Sequence, residues 1–203
     1  MTPDIPLTDL LQQIRDCRLC DAHLPLGANP VVRASASARL MIIGQAPGTR
    51  VHQTGIPWND PSGQRLRQWL ALSDEAFYDE KQVAIMPMGF CYPGKGKSGD
   101  LPPRPECAPT WHGSLLSQLP DIRLTLLIGQ YAQNHYLQDD FRTLTERVQN
   151  FRNAGAAIIP LPHPSPRNQL WLKKNPWFEA EVIPELQARV RALLQADSSP
   201  LVS

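Results

Sequence analysis

Four short apolar runs punctuate the chain, at residues 39–43, 83–86, 124–128 and 156–159. Each is short for a helix and apolar on both alternating faces, which is the pattern of strands buried in a parallel sheet. Between them apolar residues recur every three or four positions. Leu7, Leu10, Leu11 and Ile14 mark a helix over 7–15 that starts at Pro6 or Thr8, and Leu66, Trp69, Leu70 and Leu72 mark one over 62–72. Asp60 or Ser62 suits the N-cap of the second helix. A further helix is expected over 111–119, and another after Gly129. A last one spans 176–195, with Phe178, Val182, Leu186, Val190, Leu193 and Leu194 on one face. Strands alternating with helices predict an α/β fold, a three-layer α/β/α sandwich on a four-stranded, mainly parallel sheet. Neither a repeat nor an interdomain linker interrupts it, so residues 1–203 read as one domain, with a disordered tail from about 197.

In such a sheet ligands bind beyond the carboxyl ends of the strands. Gly44, Pro87, Gly129 and Pro160 stand at those ends, so the loops after them are the candidate site. Gly44-Gln45-Ala46-Pro47-Gly48 is a tight turn that lets backbone approach a ligand closely. His163-Pro164-Ser165-Pro166-Arg167-Asn168 holds a histidine between two prolines, where its backbone is restricted. A histidine suits donation of a hydrogen bond to developing negative charge near neutral pH. Arg167 suits a phosphate contact, and Asn168 suits the cap of a following helix. In Trp58-Asn59-Asp60, Trp58 is a candidate to stack on a base and Asp60 is the carboxylate nearest the 44–48 loop.

Composition narrows the partners. The 203 residues are 42% hydrophobic, enough for one well-buried core. With 20 basic and 19 acidic residues, any nucleic-acid contact must come from a local patch. Nine of the 21 prolines gather in the loops at 93–109 and 160–166, which stiffens them. No apolar run approaches the ~20 residues of a membrane span, and the N-terminus lacks the basic start of a secretory signal. A soluble, cytoplasmic protein is the expectation, with reduced or metal-bound cysteines rather than disulfides.

The four cysteines are Cys17 and Cys20, spaced as CxxC, and Cys91 and Cys107, with fifteen residues between them. Four thiolates can hold a tetrahedral zinc or an iron–sulfur cluster, and unliganded thiols are the third option. A single CxxC knuckle tilts the choice toward a cluster, since four-cysteine zinc sites usually carry two. In either metal case the group would staple the N-terminus to the loop after the second strand.

Taken in order, these features resemble the uracil-DNA glycosylase superfamily, most closely its iron–sulfur (family 4) branch. The resemblance runs from about Cys17 to Leu194. It rests on the CxxC, the Gly-Gln-Ala-Pro-Gly loop, Thr54-Gly55-Ile56-Pro57-Trp58, Cys91, Pro105-Glu106-Cys107, the strand end at Gly129 and His163-Pro164. It implies a monofunctional glycosylase that flips a damaged base out of DNA and hydrolyses its glycosidic bond in base excision repair. It also implies a [4Fe–4S] cluster on Cys17, Cys20, Cys91 and Cys107. Structural zinc is the alternative. By analogy His163, Asp60 and Gln45 are catalytic, and Gly44, Gln45, Ala46, Trp58, Asn59 and His163 bind the base. Ser165, Arg167, Lys95 and Lys97 are the expected phosphate contacts, and the chain is expected to act as a monomer.

The chain departs from the family pattern at several positions, among them Val51 and His52, which replace the acidic pair that often follows the Gly-Glu-Ala-Pro-Gly loop. Gln45 replaces a glutamate, and Pro87 replaces the asparagine that reads the uracil edge, leaving neither a side-chain amide nor a backbone N–H. The expected substrate is therefore uracil or another deaminated base. A catalytically silent member that binds damaged or single-stranded nucleic acid is the alternative, and an enzyme acting on free nucleosides is a third class.

Overall fold

A computed structural model of the chain describes residues 5–195. The tail expected from 197 lies outside the described residues. The strands are β1 (Leu40–Ile43), β2 (Val83–Ile85), β3 (Leu124–Ile128) and β4 (Ile158–Leu161). They form one sheet in the order β2-β1-β3-β4, parallel throughout. The helices are α1 (Leu7–Arg15), α2 (Thr49–Thr54), α3 (Pro61–Leu70), α4 (Asp74–Tyr78), α5 (Gly113–Ser117), α6 (Gln130–Tyr136), α7 (Leu144–Gln149), α8 (Gln169–Lys174) and α9 (Ile183–Gln195).

Strand alternation divides the core into two layers. Leu40, Ile42, Val83, Ile85, Leu124, Leu126 and Ile128 point to one face, where they meet Leu66, Trp69 and Leu70 of α3 and Leu186 and Val190 of α9. Met41, Ile43, Ala84 and Leu127 point to the other, against Leu10, Leu11 and Ile14 of α1 and Leu115 of α5. Helices therefore cover both faces, which makes the three-layer α/β/α sandwich. Each fully buried side chain of Leu or Ile size contributes about 1.5–3 kcal/mol. Among the described residues, no helix is long and apolar enough to cross a membrane.

Three local differences from the sequence pattern have physical causes. The fourth strand lies two residues later than the apolar run suggests and passes through Pro160, which pairs with Leu127. The carbonyls of Ala157 and Leu161 accept from β3, so Pro160 between them turns its missing N–H to the free edge, where no ladder bond is lost. The helices expected at 111–119 and 176–195 each contain a π-helical turn, at Ala108–His112 and Phe178–Val182. Pro184 has no N–H for the Ala180 carbonyl, and the chain takes a wider turn just before it. Finally α2, α4, α7 and α8 have only five or six residues, too few apolar positions to show a period.

Candidate active site

A pocket opens at the carboxyl ends of the strands, beside the point where the chain order switches from β1 to β3. It encloses about 440 Å³, its open mouth included. Its lining brings together Gly44, Gln45, Ala46, Pro47 and Gly48 after β1, Pro87 after β2, His163 after β4, and Trp58 and Asp60 before α3. Val31, Val51, Pro57 and Ile85 make the rest of the wall apolar. Asn59, Ser165, Arg167, Lys95 and Lys97 are not part of the lining.

The 44–48 loop offers main-chain chemistry. The carbonyls of Gly44 and Gln45 are taken by the amides of Met88 and Gly89, at 2.8 and 3.0 Å. Among the described residues, the amides of Gln45, Ala46 and Gly48 donate to no protein acceptor, so they remain open to a carbonyl or an anion. The Gln45 side chain is committed elsewhere, donating from Nε2 to the Leu101 carbonyl at 3.2 Å.

Trp58 is held in a strained place. Its φ is 56°, left-handed for a bulky residue, which costs roughly 1–2 kcal/mol. Arg67 Nη1 donates to its carbonyl at 3.2 Å, and the Tyr78 hydroxyl donates to the Pro57 carbonyl at 3.0 Å. Two glycines make room for it. A Cβ at Gly63 would lie 1.7 Å from the Trp58 carbonyl oxygen, and one at Gly44 would lie 2.8 Å from the indole. Asp60 caps α3 by accepting from the Gly63 amide at 2.7 Å, as its place in the sequence suggests.

His163 stands between buried Pro162 and Pro164 with its ring 5.6 Å from that of Trp58, tilted by 34°. Part of the residue reaches the pocket, while protein surrounds the remainder. That burial lowers its pKa below the ordinary histidine value, and the negative charge of Asp60 opposes the shift. The ring is therefore neutral near neutral pH, a donor rather than a cation. Contrary to the sequence expectation, Asn168 does not cap α8 with its side chain. Nδ2 instead donates to the His163 carbonyl at 2.7 Å and fixes the loop that carries the ring.

Several positioning residues escape the sequence. Gln133 is fully buried and bridges the ends of β3 and β4, donating to the carbonyls of Leu127 and Leu161 at 3.2 and 2.9 Å. Arg65 joins α3 to the histidine loop through the Ser165 carbonyl, at 3.2 Å. A hairpin at 94–101 closes on itself through Leu101 N to Gly94 O and Gly96 N to Gly99 O. Arg167 ties it to the histidine loop through the Ser98 carbonyl at 3.4 Å. Its Asp100 lies over Gly48, with Oδ2 3.6 Å from where a side chain there would begin.

Residues 32–187 match the family model of the uracil DNA glycosylase superfamily. The match covers more than three quarters of the chain. The chain belongs to the uracil DNA glycosylase superfamily.

Within this superfamily member the second-strand position is built in an unexpected way. Pro87 turns its carbonyl away from service to a ligand, because His112 Nε2 meets it at 3.1 Å. A carbonyl only accepts, so Nε2 carries the proton and Nδ1 accepts from the Tyr136 hydroxyl at 2.6 Å. Burial drives the His112 pKa down to about 4, which keeps that tautomer neutral. No local pattern marks His112 for this role, since its partners lie 24 and 25 residues away in sequence.

The four cysteines of this glycosylase-superfamily chain line a second cavity with Ile14, Leu24, Ala28, Pro30, Phe90, Arg104 and Trp111. All four are free thiols, and three are buried. Burial pushes Cys91 up to about 12 and Cys107 up to about 11. The donor set is four sulfurs and the remaining wall is mostly apolar, which fits a sulfur-ligated group. Among the described residues no three His, Cys, Asp or Glu side chains form a site for a single metal ion, and this does not bear on a cluster.

Proposed function

We propose that this protein is a DNA glycosylase that takes uracil or another deaminated base, flipped out of DNA, and hydrolyses its N-glycosidic bond. Family membership supports action on DNA. The observation that carries the reading is the convergence of His163, Asp60, Trp58 and the open amides of loop 44–48 on one pocket. A flipped base enters that pocket and lies against the Trp58 indole. The amides of loop 44–48, the main-chain N–H of Gln45 among them, meet its carbonyl edge. As the bond breaks, charge develops on the base, and neutral His163 donates to it. Asp60 faces the positive character left on the sugar. Ser165, Arg167, Lys95 and Lys97, which lie outside the pocket lining, serve as phosphate contacts.

The test is release of base from labelled oligonucleotides carrying uracil, hypoxanthine or xanthine, single- and double-stranded, followed by alkali. Strand scission at the modified position is expected. Intact strands with every base sink the reading. A second reading, a silent binder of damaged or single-stranded nucleic acid, draws on Pro87 and on the Gln45 amide being held by Leu101. Salt-dependent binding without base release would favour it.

Cys17, Cys20, Cys91 and Cys107 are proposed to hold a [4Fe–4S] cluster, with structural zinc as the alternative. Bound there, the group supplies a tie between the segment after α1 and the loop after β2. A cytoplasmic setting, where thiols stay reduced, belongs to the same proposal. Protein prepared without oxygen should be brown, with broad absorption near roughly 400 nm. Colourless protein with stoichiometric zinc would overturn the cluster.

A further inference from the structure

We infer that Asp100 is a second carboxylate of the reaction, carried across Gly48 by the 94–101 hairpin to the sugar side of the pocket. The inference rests on the glycosylase reading above. It begins with what Asp60 has left to give. One Asp60 oxygen is committed to the Gly63 amide as a helix cap, so that carboxylate is held by α3. Asp100 is different. Among the described residues its carboxylate accepts no hydrogen bond and lies within 4 Å of no Lys or Arg nitrogen, and it is the only acidic residue between Pro87 and Pro105.

Three contacts hold it at the rim of the pocket, outside the lining but against Gly48. Gly48 has no side chain, and Asp100 Oδ2 lies 3.6 Å from where one would begin. The Gln45 side chain holds the hairpin through Leu101, the residue next to Asp100. Arg167 holds the hairpin's tip to the loop that carries His163. Asp100 is thus hung between the two loops that define the pocket. Burial raises its pKa above the ordinary aspartate value, Arg167 and Lys95 oppose the shift, and the negative charge of Asp60 adds a smaller push upward.

In the step proposed, a water oxygen bonds to the anomeric carbon of the flipped nucleotide. The bond from that carbon to the base nitrogen breaks, and its electron pair leaves with the base, whose charge His163 meets. The proton lost by the water passes to the Asp100 carboxylate and then to solvent, and the departing base takes a proton from solvent. Asp60 remains a fixed negative charge beside the sugar.

The test compares Asp100→Asn and Asp100→Glu with the parent in single-turnover base release, using the uracil oligonucleotide or the panel base that the parent releases. Asp100→Asn keeps the size and hydrogen-bonding shape that the hairpin sees. It is expected to slow release by ~10²-fold or more, with affinity for an undamaged oligonucleotide, read by fluorescence anisotropy, no weaker than the parent's. Asp100→Glu should recover part of the rate. Asp121→Asn, a surface control beside Arg123, should match the parent. An active parent with an unimpaired Asp100→Asn overturns this inference alone, as does a loss that tracks weaker DNA binding. A parent that releases no base from any substrate overturns the glycosylase reading and this inference with it.

Discussion

The pocket at the strand ends and the cavity lined by the cysteines sit in one molecule but are built from opposite materials. The pocket uses main-chain amides, prolines and three functional side chains, His163, Trp58 and Asp60, each fixed by named neighbours. The cysteine cavity uses four sulfurs in a mainly apolar lining, with the Arg104–Glu106 pair beside Cys20. The first is shaped by the chain itself. The second gathers four cysteines, from the segment after α1 and the loop after β2. The contrast teaches that the proposed chemistry and the proposed tether occupy separate parts of the molecule, and three predictions press on that separation.

The largest effect should follow loss of His163. His163→Ala removes the proposed donor to the departing base, and base release should fall by ~10²–10³-fold, about 3–4 kcal/mol of barrier. Melting temperature and iron content should stay at parental values. A joint loss of rate and iron would show that the two regions are not separable.

A middle effect concerns His112, which touches both regions: Nε2 meets Pro87 of the pocket, and the ring lies 5.7 Å from Phe90 of the cysteine cavity. Unfolded, it takes a proton near its ordinary 6.5, but folded only near about 4. The unfolded state therefore binds more protons as pH falls through that window, and folding loses about 3 kcal/mol across it. Burial of His163 works in the same direction. Urea unfolding at pH 7.5 and pH ~4 reads the difference. His112→Gln should flatten that dependence, and an unchanged slope would remove His112 from the account.

The smallest effect separates the two duties of Asp60. Asp60→Ala removes the cap of α3 and should cost ~1 kcal/mol of stability. Asp60→Asn keeps an acceptor for the Gly63 amide and should leave stability close to the parent, while slowing base release. Equal rates for Asp60→Asn and the parent would leave Asp60 as a cap alone.

The same contrast explains what could be read from the chain and what could not. The sheet was readable because each strand is a short apolar run, and the parallel arrangement follows from the helices between them. Gly44, Gln45, Ala46, Trp58, Asp60 and His163 were within reach because strand ends are where ligands bind, and all six line the pocket. The misplaced edge of β4 came from treating Pro160 as a stop, when an edge strand tolerates proline on its outer side. Asn168 was assigned to the helix after it, but its amide serves the carbonyl five residues before it. Gln133, His112 and Arg65 left no local trace, because each acts through a backbone carbonyl that only the fold brings near. Asp100 left a faint one, a lone carboxylate in a basic, proline-rich loop.

Pro160 has a consequence beyond the shape of the route to His163. β4 is the last strand of its sheet, and an edge strand is where a foreign strand can add itself if its cover opens. At Pro160 such a strand would find no proton to accept, in the middle of a strand only four residues long. The residue that delivers the chain to its histidine also closes that border of the sheet to aggregation.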